Sequence, residues 1–165
     1  MDKTMTRPTS ILTQAALLGA LAGMRSMSAP LVLSTYWQQV ANPPTLPFPF
    51  ALLTTPQINT VLKAAAVGEM GMDKTSFVPA RTEPLPLLGR VGIGAGVGAA
   101  LYLANEDSPI VGGIVGAVAA LFSTFVFYYL RRLVGAKLRV PDTITALAED
   151  ALVVVSGWWF LNGSE

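Results

Sequence analysis

The chain has 165 residues, of which 52% are hydrophobic and only 13% charged, and its formal net charge is +1. Soluble domains carry about 25% charged residues and bury only about two-thirds of their surface at this size, so this composition requires an apolar solvent. The absence of cysteine and histidine excludes disulfides, thiolate or imidazole metal ligands and a histidine-activated nucleophile. We therefore expect an all-α, polytopic transmembrane helix bundle, residues 1–165 forming one domain, with no catalytic centre, cofactor, metal or nucleic-acid partner.

Segment one runs from about Ile11 to Trp37 and follows a charged N-terminal head. It exceeds the apolar core of a signal peptide and contains Arg25, so we interpret it as a retained span. It is also longer than the roughly 20 residues that a straight span needs. Proline removes a backbone donor and clashes with the preceding turn, so the span is predicted to break near Gly23–Pro30, with Pro30 as the expected cause. A strongly tilted, unbroken helix is the alternative.

Segment two, from about Phe50 to Met72, follows an uncharged proline-rich stretch and is the least apolar of the predicted spans. Its helical part is expected to begin at Pro56. Lys63 lies near its middle and Glu69 near its end, and a polar turn region, Asp73–Pro86, follows.

Segments three and four, about Leu85 to Ala104 and Ile110 to Leu130, are rich in glycine and joined by a short polar turn. Glycine at this density would destabilise a soluble helix, but in a membrane it lets helix backbones approach closely. The small-xxx-small spacings predict an antiparallel hairpin that packs along four glycines. These are Gly92, Gly96, Gly112 and Gly116.

Segment five runs from about Thr143 to Leu161 and ends in an aromatic belt, Trp158–Phe160. With five alternating spans, every loop lysine and arginine falls on the side of the N-terminus. The positive-inside rule then places the N-terminus in the cytoplasm and the C-terminus outside. A chain in which segment two does not cross would split these basic residues between both sides, so charge supports five spans where hydropathy does not.

Several ionisable side chains fall within or at the ends of the predicted spans, where an ionisable group costs about 2.5–3.5 kcal/mol on insertion scales. They form the predicted intramembrane polar site, which consists of Arg25, Glu69, Asp73, Arg90, Glu149 and Asp150. On one interpretation they pair to lock the bundle or reach towards the membrane surface. On the other they surround a polar cavity that serves an ion, a proton or an anionic headgroup.

Arg25 lies so deep in segment one that it must pair with a carboxylate or face a wet cavity. Glu69 and Glu149 are the favoured partners over Asp150. Because neighbouring residues on a helix point about 100° apart, Glu149 and Asp150 cannot share one partner.

An ordered set of short motifs covers nearly the whole chain. They are Leu21–Ser26, Gly68-Glu69 with Asp73-Lys74, Arg81–Pro86 leading to Gly89-Arg90, Tyr129–Arg132, Pro141-Asp142 and Ala146–Asp150. Together they resemble an uncharacterised family of small bacterial membrane proteins, filed as a domain of unknown function in the four-thousand series. The resemblance implies a polytopic protein of the bacterial cytoplasmic membrane whose recurring polar residues are these charged ones, and it implies no activity. Lys63 and the proline-rich stretch match none of these motifs.

Three functions compete. A small transporter or channel for an ion or a small anionic substrate predicts that the charges converge on a water-accessible cavity. A non-transporting membrane scaffold or assembly factor predicts dry, one-to-one ion pairs. A lipid-modifying enzyme is disfavoured because no nucleophile or metal motif is present. Membrane lipid is the expected partner, and the sequence leaves open whether the chain forms a homo-oligomer.

Overall fold

The computed structural model describes residues 10–72, 83–138 and 142–162. Within these ranges the chain is helical and contains no strand. It forms six α-helices and a 3₁₀ helix, which are α1 (Ile11–Met24), α2 (Ser28–Gln39), the 3₁₀ helix (Phe50–Thr54), α3 (Pro56–Met72), α4 (Pro84–Ala104), α5 (Pro109–Leu138) and α6 (Asp142–Asn162).

Segment one is broken, as its length predicts. α1 ends at Met24, Arg25 is extended at φ −141° and ψ 111°, and α2 begins at Ser28. The break therefore lies within the predicted interval, but Pro30 does not cause it. Pro30 lies in the first turn of α2, where a backbone N–H has no intrahelical partner, so the missing donor costs nothing there.

α4 and α5 form an antiparallel hairpin with close backbone contact. A Cβ placed on Gly98 would overlap the Gly112 carbonyl oxygen, and one placed on Gly116 would overlap the Gly94 carbonyl oxygen. The order of these two contacts is reversed between the helices, as an antiparallel pair requires. Only glycine leaves room for this approach.

The glycines of α4 that make this contact are not the predicted ones. A Cβ on Gly92 or Gly96 would meet no atom within 4 Å, so these two residues do not pack against α5. The sequence contains two interleaved glycine series with the same spacing, and residues two positions apart point about 200° apart on a helix. Gly112 and Gly116 on α5 do lie in the contact, but their partners are Gly94 and Gly98.

α1 packs on the same part of α5. A Cβ on Gly19 would overlap the Gly116 carbonyl oxygen and lie 2.9 Å from the Ala119 side chain. Nearer the break, a Cβ on Gly23 would overlap Ser123. Gly116 therefore lies between α1 and α4, and the three helices form the tightly packed centre of the bundle.

α2, α3 and α6 pack around this centre. Phe160 of α6 is buried and meets Tyr36 of α2 edge to face, with ring centroids 5.8 Å apart. Asn59 of α3 is buried against α2 and donates to the Ser34 hydroxyl at 3.2 Å. Lys63 lies on the exposed face of α3.

Among the described residues, three helices are long and apolar enough to cross a membrane, namely Pro84–Ala104, Pro109–Gly135 and Ile144–Asn162. α1 is apolar but has only 14 residues, or about 21 Å against a hydrocarbon core of about 30 Å. These helices make the chain a polytopic helical membrane protein. α3 does begin at Pro56 as predicted, but it is not among these apolar helices.

α1 runs parallel to α5, with Gly19 at Gly116 and Gly23 at Ser123, and α2 runs parallel to α6, with Val32 at Gly157 and Tyr36 at Phe160. Because α5 and α6 run in opposite directions, α1 and α2 form a hairpin whose outer ends lie on the same side of the bundle, so the prediction that segment one crosses the membrane was wrong.

The glycine contact predicts that two identical substitutions on α4 have different outcomes. We expect Gly94→Leu to lower the thermal unfolding temperature in detergent, because overpacking a tight contact costs about 1–3 kcal/mol or more. Gly96→Leu, two residues away on an open face, should leave that temperature close to that of the wild type. Equal effects of the two substitutions would contradict the assignment of this face.

The crossing of segment two can be tested with single cysteines, because the chain has none of its own. Thr45→Cys, in the proline-rich stretch, and Asp107→Cys, in the α4–α5 turn, lie on the same side only if segment two crosses the membrane. We expect a membrane-impermeant thiol reagent to label both on intact cells. Labelling of one of the two on intact cells and of the other only after permeabilisation would show that segment two does not cross.

Candidate functional site: a charged network at the helix break

The break leaves the last carbonyl groups of α1 without helical partners, and Arg90 of α4 binds them. Its Nη1 donates to the carbonyl oxygens of Gly23, at 3.0 Å, and Met24, at 2.9 Å. The Thr124 hydroxyl of α5 also donates to the Gly23 oxygen, at 3.1 Å. A guanidinium at this position meets the partial negative charge that a helix C-terminus carries.

The backbone amides just before α2 are bound by the opposite charge. Glu69 of α3 accepts from the Ser26 N–H with Oε1 and from the Met27 N–H with Oε2, both at 2.9 Å. Its Oε1 also accepts from the Ser26 hydroxyl at 3.0 Å. A carboxylate at this position meets the partial positive charge of a helix N-terminus.

The two charges that cap the break also face each other. Arg90 Nη2 lies 3.5 Å from Glu69 Oε1. The cation at the end of α1 and the anion at the start of α2 therefore form an ion pair across the break, and each comes from a different helix. This arrangement compensates both charges, two carbonyl oxygens at the end of α1 and two amides before α2.

Arg25, within the break, is fully buried. Its Nη2 lies 2.6 Å from Asp150 Oδ1 of α6, and its Nη1 donates to the Glu69 main-chain carbonyl at 3.3 Å. The carboxylate that a deep arginine requires is therefore present. The preference for Glu69 or Glu149 over Asp150 was wrong, because the Glu69 carboxylate is bound to the Ser26 and Met27 amides and Glu149 faces another helix.

Glu149 faces Arg131 of α5, with 3.8 Å between Oε2 and Nη1. The neighbouring carboxylates of α6 thus have separate partners, as their angular separation predicts. Arg131 was missing from the predicted site, because segment four was expected to end at Leu130. Instead α5 continues to Leu138, which places Arg131 on a helix face opposite α6.

A groove lies between α5 and α6 around this second pair, with a cavity volume of about 170 Å³. We call it the α5–α6 groove. Its lining residues are Phe127, Leu130, Arg131, Val134, Thr145, Ala148, Glu149 and Leu152. Its walls are mostly apolar, and its two charged residues are the Arg131–Glu149 pair.

The predicted site residues therefore fall into three groups. Arg25, Glu69, Arg90 and Asp150 form one connected set, which we call the break network. Glu149 lies beside it in the pair with Arg131. Asp73 lies outside the described residues.

Three hydroxyl residues at the break were not predicted. Ser26 and Thr124 bind the break as described above, and the Ser123 hydroxyl donates to the Ala20 carbonyl oxygen at 2.8 Å. The only signal for Ser123 and Thr124 was two adjacent hydroxyls within an otherwise apolar span. Within the described ranges, no group of three or more acidic side chains is arranged to hold a metal ion.

Long apolar helices around a buried charged break define this chain as a polytopic helical membrane protein. The model of the family described as a domain of unknown function, DUF4126, matches residues 12–162. The chain therefore belongs to this family, which confirms the resemblance seen in its motifs. Comparison with curated proteins and with solved structures finds no match.

Proposed function

We propose that this protein is a small transporter or channel that moves an ion or a small anionic solute by way of the break network. The break itself carries the proposal. A half-helix C-terminus and a half-helix N-terminus meet there beside four ionisable side chains. In transporter folds, discontinuous helices aim such ends at substrates and coupling ions near the middle of the membrane.

The cost of the break network supports a functional role. An unbroken apolar helix would satisfy its own backbone groups and would need neither Arg90 nor Glu69. Replacing a buried ion pair by well-packed apolar side chains is often neutral or stabilising, so ion pairs are a poor way to gain stability alone. Ionisable groups within membrane domains mark ion and substrate pathways by default.

The pairing of the charges favours a second candidate function, that of a membrane scaffold or assembly factor. Arg25 with Asp150, Arg90 with Glu69, and Arg131 with Glu149 form ion pairs of opposite charge. Such pairs suit a non-transporting scaffold or assembly factor in which the charges lock the bundle. In the transport proposal, the side chains of Asp150 and Glu69, 14% and 18% exposed, are the groups that a solute or proton reaches first.

We also propose the bacterial cytoplasmic membrane as the location, with the end of α5 that carries Arg131 and Arg132 in the cytoplasm. The lysines and arginines that follow α3 and those between residues 131 and 141 support this orientation. The resemblance to small bacterial membrane proteins supports the compartment.

Flux measurements in proteoliposomes test the transport proposal. We expect the wild type to carry at least one member of a panel of small anions and monovalent cations above the rate of protein-free vesicles. Asp150→Asn should remove most of this flux even in the fraction of the protein that is folded, because the network loses one of the two carboxylates that a solute or proton reaches first. Asp107→Asn, in the exposed α4–α5 turn, is the matched control and should retain it.

Reversing the charges of the Arg25–Asp150 pair distinguishes a transport role of this pair from a purely structural one. Arg25→Asp combined with Asp150→Arg keeps an ion pair but exchanges its ends. If the pair is only structural, the double variant should recover whatever stability and activity either single variant loses. In a conducting site it should recover stability but not flux. Absence of flux for the whole panel in folded wild-type protein would contradict transport and favour the scaffold.

A further inference from the structure

The α5–α6 groove is open towards the lipid-facing side of the bundle. Leu130 on one wall and Leu152 on the other are each 49% exposed, although both line the groove. Phe127 and Val134 extend the apolar lining along α5 on either side of Arg131. A groove with apolar walls beside membrane lipid suits an acyl chain better than a polar solute.

The charge of the groove is asymmetric. Glu149 is 5% exposed, whereas the Arg131 side chain is 19% exposed and Arg132 next to it is exposed. A guanidinium has five N–H donors, so Arg131 can bind a phosphate oxygen and keep Glu149 as a partner. The accessible charge at the groove is therefore positive, although an acidic residue is present.

The position of the two arginines along α5 agrees with a headgroup site. They follow directly on the uncharged stretch Ile110–Leu130, so they stand where an apolar span reaches the polar boundary of the bilayer. Basic pockets between membrane helices at this depth bind anionic lipid headgroups.

We propose that the α5–α6 groove binds an anionic phospholipid, with the phosphate at Arg131 and an acyl chain along Phe127, Leu130 and Leu152. This inference is separate from the transport proposal, because the groove surrounds the Arg131–Glu149 pair and not the break network. Bound lipid fills the space between α5 and α6 that the groove leaves open.

Native mass spectrometry of the full chain tests the proposal. Delipidated protein in detergent is titrated with phosphatidylglycerol and with phosphatidylcholine of the same acyl chains. We expect tighter binding of phosphatidylglycerol by the wild type. Arg131→Gln should reduce that preference about fivefold, the contribution of one basic residue near an anionic lipid. Lys63→Gln, which removes an exposed cation from α3, should leave the preference unchanged.

A second variant keeps the test decisive if Arg131→Gln does not fold. Ala148→Phe fills the groove from its exposed wall without changing any charge, and it should weaken phosphatidylglycerol binding. Equal wild-type affinity for the two lipids would overturn the proposal. An unchanged lipid preference in folded Arg131→Gln, or unchanged binding in Ala148→Phe, would also overturn it. Displacement of phosphatidylglycerol by inorganic phosphate at the same concentration would overturn it as well, because it would indicate a site for free anions.

Discussion

The bundle depends on how the break in segment one is capped. Inside a membrane no water is available to bind the free ends of two half-helices, so other protein groups must do so. Arg90 binds the carbonyl oxygens at the end of α1, and Glu69 binds the amides that precede α2. Each cap carries the charge that complements its helix end, and the two caps pair with each other.

This requirement fixes the positions of the other helices. Arg90 reaches α1 because the small residues of α1, α4 and α5 let the three backbones come together, with Gly116 between Gly19 and Gly94. α3 must lie close enough to bring Glu69 to the break. Arg25 is then left inside the bundle, which requires Asp150 and so holds α6. The glycine contacts and the charged contacts are two parts of one arrangement.

The sequence predicted the class of protein, the interval of the break and the set of buried charges, because these follow from composition, length and the cost of charge in a membrane. It did not predict which members of each set meet. Gly92 and Gly96 have the same spacing as Gly94 and Gly98, and Glu149 is next to Asp150. To predict which glycines and which carboxylate make the contacts, one must know how each helix is rotated about its axis, and tertiary packing determines that rotation. The role of Arg131 was missed for a related reason, because α5 continues as a helix past its apolar stretch.

Hydrogen exchange at the amides of Ser26 and Met27 tests the capping of the break most directly. The full chain is compared with Glu69→Gln, and Lys63→Gln is the control on the same helix. Hydrogen bonds to a charged group contribute about 1.5–3 kcal/mol, so we predict at least about tenfold faster exchange at these two amides in Glu69→Gln. Lys63→Gln should exchange as the wild type does. Unchanged protection of both amides in folded Glu69→Gln would contradict the account, since the half-helix ends would then be held by something other than this carboxylate.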